Sequence, residues 1–265
     1  MNIEIETSRG VQPGSDVEIR VESLSVEFPI YDASARSLRN VVLNLGTGGA
    51  IRSGARDRAT VTALEDVTFR LRAGDRLGIV GLNGAGKTTL LRALAGIYSP
   101  TRGSILTRGS IAPLFDITLG MDSDATGYEN IHIRGLFLGM SSREIRARME
   151  EIAEFSELGS YLAMPIRTYS AGMRVRLAFA IATAVQPDIL LLDEMIGAGD
   201  ARFFERAETR LGTFLSRAQI LVLSSHSNEI VRKLCNKALL LHHGKVIGLD
   251  SVDEVLKEYA SLVAA

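Results

Sequence analysis

Nine residues, Gly81-Leu82-Asn83-Gly84-Ala85-Gly86-Lys87-Thr88-Thr89, limit what this chain can fold into more than any other stretch. They fit G-x-x-x-x-G-K-[ST], a loop whose backbone N–H groups close around phosphate oxygens. That chemistry needs a strand to deliver the loop and a helix whose positive N-terminal end faces the anion. Both are predicted. Arg76-Leu77-Gly78-Ile79-Val80 is a short apolar run ending at glycine, a buried-strand pattern, and residues 89–95 read as a helix. Glycine permits the tight backbone path, so Gly81, Asn83, Gly84, Ala85, Gly86, Lys87, Thr88 and Thr89 are the expected phosphate contacts. Lys87 is expected to reach the β- and γ-phosphates, and the Thr88 hydroxyl to ligate magnesium. The competing reading is a glycine-rich turn that merely precedes Lys-Thr. The flanking strand and helix argue against it.

The rest of the composition narrows the class. A chain of 265 residues holds one large or two modest domains with ample core. Its formal net charge of −1 gives no argument for nucleic acid or an anionic membrane surface. The single cysteine, Cys235, excludes an internal disulfide, and helical spacing around it suggests a buried structural thiol. The acidic, alternating start at residues 1–6 does not resemble a signal peptide. The longest nearly apolar run, 177–185, falls short of the roughly 20 residues that span a bilayer. The expectation is a cytoplasmic protein that reaches a membrane, if at all, through a partner.

Taken in order, residues 17–22 alternate apolar and charged, a half-buried strand, and a second strand at 25–31 ends at Pro29. Leu38, Val41, Val42 and Leu45 share one helical face, followed by a glycine-rich basic stretch at 46–58 and strand character at 62–69. Beyond the loop's helix, 104–106 and 110–112 read as short strands around a Gly109 turn. Residues 129–138 and 143–155 carry helical spacing, separated by Gly139-Met140-Ser141-Ser142. Alternation then resumes: helix 175–185, strand 188–192, helix 203–215, strand 219–223, helix 228–234 and strand 238–241. A turn at His242-His243-Gly244-Lys245, a strand at 246–249 and a terminal amphipathic helix complete the chain. This is an α/β nucleotide-binding pattern with a β-rich N-terminal part and a helical insert.

Two further strands end in chemistry. Ile189-Leu190-Leu191-Leu192 runs into Asp193-Glu194. At a buried strand's edge Asp193 can complete magnesium's shell, while Glu194 can polarise an attacking water. Without the phosphate loop these acids would equally well begin a solvated turn. Leu221-Val222-Leu223-Ser224-Ser225 ends similarly on His226, for which a γ-phosphate contact is the expectation.

Tyr169-Ser170-Ala171-Gly172-Met173-Arg174, placed before a helix and the Asp-Glu strand, resembles the signature motif of ABC ATPases, usually Leu-Ser-Gly-Gly-Gln. The motif order matches that family along nearly the whole chain. The resemblance implies a P-loop NTPase fold over residues 1–265. Its RecA-like core with N-terminal β-subdomain would occupy 17–110 and 171–250, its helical subdomain 120–170 and a C-terminal helix 251–265. It implies ATP and Mg2+, and a head-to-tail homodimer in which Ser170 and Gly172 of one copy cap the ATP held by the loop of the other. Ala171 and Met173 depart from the motif and change the contacts available there. Gly197-Ala198-Gly199-Asp200 takes the place of the loop that crosses such a dimer. Phe28 matches the aromatic that stacks on adenine, with Tyr31 a rival and core packing the alternative for either. Where the family has a glutamine, this chain has Asp116, a coupling residue and candidate metal ligand whose charge repels phosphate.

Within the family the chain is similar to the ATPases of polysaccharide exporters, serving O-antigen, teichoic acid and capsule. They share a Tyr-Ser-x-Gly-Met signature and a Thr-Gly-x-Glu-Asn stretch, here Thr126-Gly127-Tyr128-Glu129-Asn130. The same group carries an N-terminal helix near the transporter's cytoplasmic opening, which 38–45 would supply; packing on its own domain fits the periodicity equally. The implied function is ATP hydrolysis powering export of a cell-surface polysaccharide through a separate permease, from the cytoplasmic face of the bacterial inner membrane. The alternatives are a small-solute importer subunit and a non-transport ABC protein. No nucleic-acid partner is expected.

Overall fold

A computed structural model of the chain describes residues 17–29, 50–53, 59–115, 117–193 and 201–264. The candidate helix at 38–45, Tyr31, Asp116, Glu194 and the loop at 197–200 lie outside them. Contact density groups the chain into two compact units. One comprises Met1–Ile111, Leu191–Glu194 and Gln219–Ala265; the other comprises Ala112–Leu190 and Met195–Ala218.

The first unit carries an antiparallel sheet of β1 (Glu18–Pro29), β2 (Ala50–Ser53), β3 (Ala59–Arg72) and β5 (Arg102–Arg108), in the order β2-β3-β1-β5. The two strands expected at 17–22 and 25–31 are one. What looks like a break is a bulge: register with β3 slips between Val21 and Leu24, and Ser23 is left-handed at φ 47. The extra residue switches which parity faces inward. Ile19 and Val21 are buried before it, Leu24 and Val26 after it.

A six-stranded sheet runs in the order β10-β9-β4-β8-β7-β6. Its members are β4 (Arg76–Val80), β6 (Ile111–Pro113), β7 (Ile189–Asp193), β8 (Ile220–Ser224), β9 (Lys237–His242) and β10 (Lys245–Asp250). β4 pairs in parallel with β8 and β9, and β10 closes antiparallel on β9. Leu77, Ile79, Leu221, Val222, Leu239, Leu240 and Leu241 are all essentially inaccessible. Strands buried on both faces read as continuous apolar runs rather than alternation. β5 and β6, expected as neighbours around Gly109, belong to different sheets, and Gly109 at φ 118 turns the chain between them.

Helix α1 (Lys87–Leu94) buries Leu90, Leu91, Ala93 and Leu94. Val231 of α6 (Asn228–Leu234) packs with Val252, Val255 and Leu256 of α7 (Val252–Ala264) and with Val80, Ala238 and Leu240. Cys235 meets its expectation in part: it is the extended C-cap after the helix stops at Leu234, half-buried, and it packs against this same cluster.

The second unit contains α2 (Gly127–Phe137), α3 (Ser142–Ser156), α4 (Ala171–Ala182) and α5 (Ala201–Arg217). Thr126 with Glu129, and Ser141 with Glu144, form complete capping boxes at the starts of α2 and α3. Phe155, Phe179 and Phe203 gather α3, α4 and α5 around one aromatic cluster, with ring centroids 5.7–6.1 Å apart. Arg210 lies 4.3 Å over the Phe155 ring and Arg176 4.9 Å over Phe203. These stacked cations cover the cluster with their stems as well as their charge.

Candidate nucleotide-binding site

The phosphate loop leaves β4 at the edge where the parallel strands end. Gly81 follows with φ 150, and a Cβ there would press into the Leu241 carbonyl oxygen of β9, so only glycine fits. Gly84 and Gly86 have φ 76 and 107. These left-handed positions turn successive N–H groups around one centre. Ala85 is buried, its N–H donating to Leu82 O at 3.1 Å. Asn83 is exposed.

Lys87 is only 7% exposed, and its Nζ donates to Gly81 O at 2.7 Å and Leu82 O at 3.2 Å. The ammonium is therefore folded back over its own loop, supplying positive charge where the backbone curves. α1 starts at Gly86 with no side-chain cap and no acid in its first turn. A helix normally satisfies its first N–H groups with a capping side chain, so this start is suited to a phosphate. Thr88 presents its residue to solvent in that turn, and Thr89 is half-buried.

β8 ends at Ser224, level with Ile79 of β4, so Gly81 and His226 each lie two residues past the last registered pair. His226 is exposed between β8 and the Ser227 cap of α6. β7 ends on half-buried Asp193, in the strand next but one to β4. The hydroxyl of Thr88 and carboxylate of Asp193 are hard oxygen donors of the kind magnesium takes alongside phosphates and water. Among the described residues no group of three His, Cys, Asp or Glu could hold a metal. Phe28, at the end of β1, is 36% exposed and meets Tyr98 edge-on at 5.1 Å, which leaves ring surface for a base.

Ser170 and Gly172 stand in the second unit. The helix expected from 175 starts earlier, at Ala171, so the signature runs into it. The motif forms the first turn of α4, with Ser170 as N-cap accepting the Met173 N–H at 3.2 Å. Capping occupies a lone pair of Oγ and leaves its own O–H to donate elsewhere. Gly172 has no packing reason to be glycine: among the described residues an added Cβ would meet only Ser170 Oγ, at 3.9 Å. A glycine that costs helix stability without relieving a clash suits close approach by something outside this chain.

Pattern reading missed what orients this turn. Gly127, at the start of α2, admits the Tyr169 hydroxyl, which a Cβ would meet at 2.5 Å, and that hydroxyl donates to Tyr161 O at 2.6 Å. Burial pushes the Tyr169 phenol up, keeping it a neutral donor. Asn130, fully buried, accepts the Asp122 N–H and donates to Asp122 O, Ala125 O and Thr126 O. Arg134, 3% exposed, donates to Ile117 O and Leu119 O. The capping-box spacing from Thr126 to Glu129 was the available signal. Neither polar side chain fits an apolar helical stripe, so periodicity passes over both.

A parallel strand that releases a glycine-lysine-threonine loop onto an uncapped helix, with an aspartate and a histidine ending nearby strands, defines an α/β protein that binds nucleoside triphosphates. Residues 64–197 match the family model described as "ABC transporter". The O-antigen export system ATP-binding protein RfbE of Yersinia enterocolitica is 45% identical over 225 residues, covering 85% of this chain and 94% of that one. The teichoic acids export ATP-binding protein TagH of Listeria monocytogenes is 32% identical, covering 94% of this chain and 72% of that one. A solved dimeric ATP-binding cassette in a post-hydrolysis state, bound to ADP and Pi, superposes at TM-score 0.62 with 20% identity, covering 88% of this chain and 98% of that one. The chain belongs to the ABC transporter family, and its fold is that of the family's ATPases.

Proposed function

We propose that this protein is the ATP-hydrolysing subunit of an exporter of a cell-surface polysaccharide, acting on a separate membrane permease. The observation that carries the reading is the likeness to RfbE across 94% of that protein's length, over a chain whose phosphate loop is fully formed. The loop N–H groups and Lys87 bind the triphosphate, and Phe28 stacks on the adenine. Glu194 orients a water for attack on the γ-phosphorus as the bond to the β–γ bridging oxygen breaks, releasing ADP and phosphate. His226 donates to a γ-phosphate oxygen. Thr88 and Asp193 would hold magnesium, which would supply positive charge against the phosphate oxygens, with Asp116 as a coupling residue and candidate further ligand. Catalysis here is positioning and electrostatics.

In this reading two copies pair head to tail, each offering Ser170 and Gly172 to the other's ATP, as the solved dimeric cassette and the unexplained Gly172 both support. The helical subdomain over 120–170, inserted in a nucleotide-binding core, and the terminal helix from 251 are part of the same reading. Ile133, Leu136 and Phe137 leave one face of α2 apolar and exposed, surface of the kind partners cover. Among the described residues no helix is long and apolar enough to cross a membrane, which fits a peripheral subunit on the cytoplasmic face of the inner membrane.

Tagged protein recovered from detergent-solubilised membranes should bring a polysaccharide-type permease with it. An importer permease would overturn the substrate, and no membrane partner would overturn the transport role. Glu194→Gln should abolish turnover while preserving ATP binding; near-wild-type turnover would remove Glu194 from its role.

A further inference from the structure

The phosphate loop is seated on backbone that its motif does not contain. β9 and β10 are joined by two residues, His243 and Gly244, between the paired His242 and Lys245. Both have positive φ, 46 and 78, the type I′ geometry that follows the twist of a hairpin. From this turn the Gly244 N–H donates to Ala85 O at 3.0 Å, in the middle of the loop, and Gly244 O accepts the Glu65 N–H at 2.9 Å. The loop's own glycines close on the same place. A Cβ on Gly81 would press into Leu241 O, and one on Gly86 would meet Ala63 O at 2.7 Å and Leu241 Cδ2 at 3.1 Å. A Cβ on Gly244 would meet that same Ala63 O, also at 2.7 Å. β3, the end of β9 and the turn thus form the wall against which the loop is pressed.

The hydrogen bond to Ala85 O matters for direction. In a trans peptide the C=O and the following N–H point opposite ways. Holding Ala85 O toward the turn therefore aims the Gly86 N–H away from it. Gly86 is also the N-cap of α1, so the bond fixes an amide where the loop becomes the helix.

We propose that the β9–β10 turn sets the phosphate-binding geometry of the loop, with Gly244 as a positioning residue for the nucleotide. The proposal rests on the loop being a nucleotide site. Gly244→Ala adds a Cβ to a left-handed residue and drives it at Ala63 O, so the turn and the Ala85 peptide must shift. Gly74 provides the control: it has φ 92, and nothing stands within 4 Å of an added Cβ. Gly74→Ala carries the backbone strain without the clash or the loop contact.

The test is calorimetric titration of the full chain with ADP and magnesium, alongside thermal melts of each variant. Both variants should melt below wild type. Gly244→Ala should weaken ADP binding by about tenfold or more, with Gly74→Ala binding as wild type does. A one-glycine insertion after Gly244, which lengthens the turn without adding a Cβ, should reproduce the affinity loss and decides the matter where Gly244→Ala does not fold. ADP binding unchanged in the insertion variant, or weakened equally in Gly74→Ala, overturns the proposal. Failure of the wild-type chain to bind ADP would instead overturn the reading of the loop.

Discussion

Replacing Glu18 by glutamine tests how a carboxylate came to be buried in a three-strand contact. Glu18 is 2% exposed, and its oxygens lie 2.5 Å from Arg70 Nε, 3.3 Å from Arg20 Nε and 3.7 Å from Arg108 Nη1. Burial pushes its carboxyl up, but the hydrogen bonds and charges of Arg20 and Arg70 outweigh that and hold it below its usual range. A folded-state value below the unfolded one contributes stability that is present above the unfolded pKa and lost as pH falls through the folded one. Glu18→Gln keeps the shape and removes the charge, leaving an amide N–H₂ among guanidinium donors. The arginine side chains are 38%, 50% and 52% exposed, so water rehydrates them. The cost therefore falls below the ~3–5 kcal/mol of a broken, fully buried pair and near the about 1.5–3 kcal/mol of hydrogen bonds to charged groups. At about 2–4 °C per kcal/mol that lowers Tm by about 3–12 °C at pH 7. Urea titrations of both proteins, repeated from pH 7 down to about 3.5, should show the deficit narrowing below the unfolded carboxyl value of about 4.3. A deficit that stays constant over that range, or no deficit at pH 7, would refute the charge argument.

Asn130→Ala should cost about 2–4 kcal/mol, since it strands the Asp122 N–H and Asp122 O, whereas Ala125 O and Thr126 O keep the backbone N–H groups of Ile166 and residue 130. The change should also open residues 117–126 to limited proteolysis before the rest of the second unit; intact protection would show that Asn130 does not tie the segment down. Burial pushes the Cys235 thiol up to about 12, so at pH 8 it should hold about a thousandfold less thiolate than a free cysteine. Iodoacetamide should label it slowly in the folded chain and quickly in urea, and fast labelling of the folded protein would contradict the burial.

Features legible in one dimension were those written by local chemistry. The loop over 81–89 declares itself because only glycines allow that backbone path and only Lys-Thr completes it. The apolar runs of β4, β7 and β8 and the capping boxes of α2 and α3 are likewise complete within a few residues, so Asp193 and His226 could be read as strand-end groups. Identifying Ser170 and Gly172 needed the order of motifs, since a serine cap alone is commonplace.

Relations between distant segments were decided by packing. The bulge at Ser23 inverts the burial parity of β1 through its pairing with β3, 45 residues on in the Ser23–Thr68 contact. β5 and β6 look like neighbours and enter different sheets because each finds its hydrogen-bond partners elsewhere. Gly127 becomes intelligible only when Tyr169 is seen against it, and Gly244 only when its N–H is seen on Ala85. Periodicity reports which face of an element is apolar; it carries no term for which other backbone will occupy that face. The phosphate loop could therefore be recognised from its residues, while the wall that shapes it exists only once β3, β9 and the hairpin turn have closed.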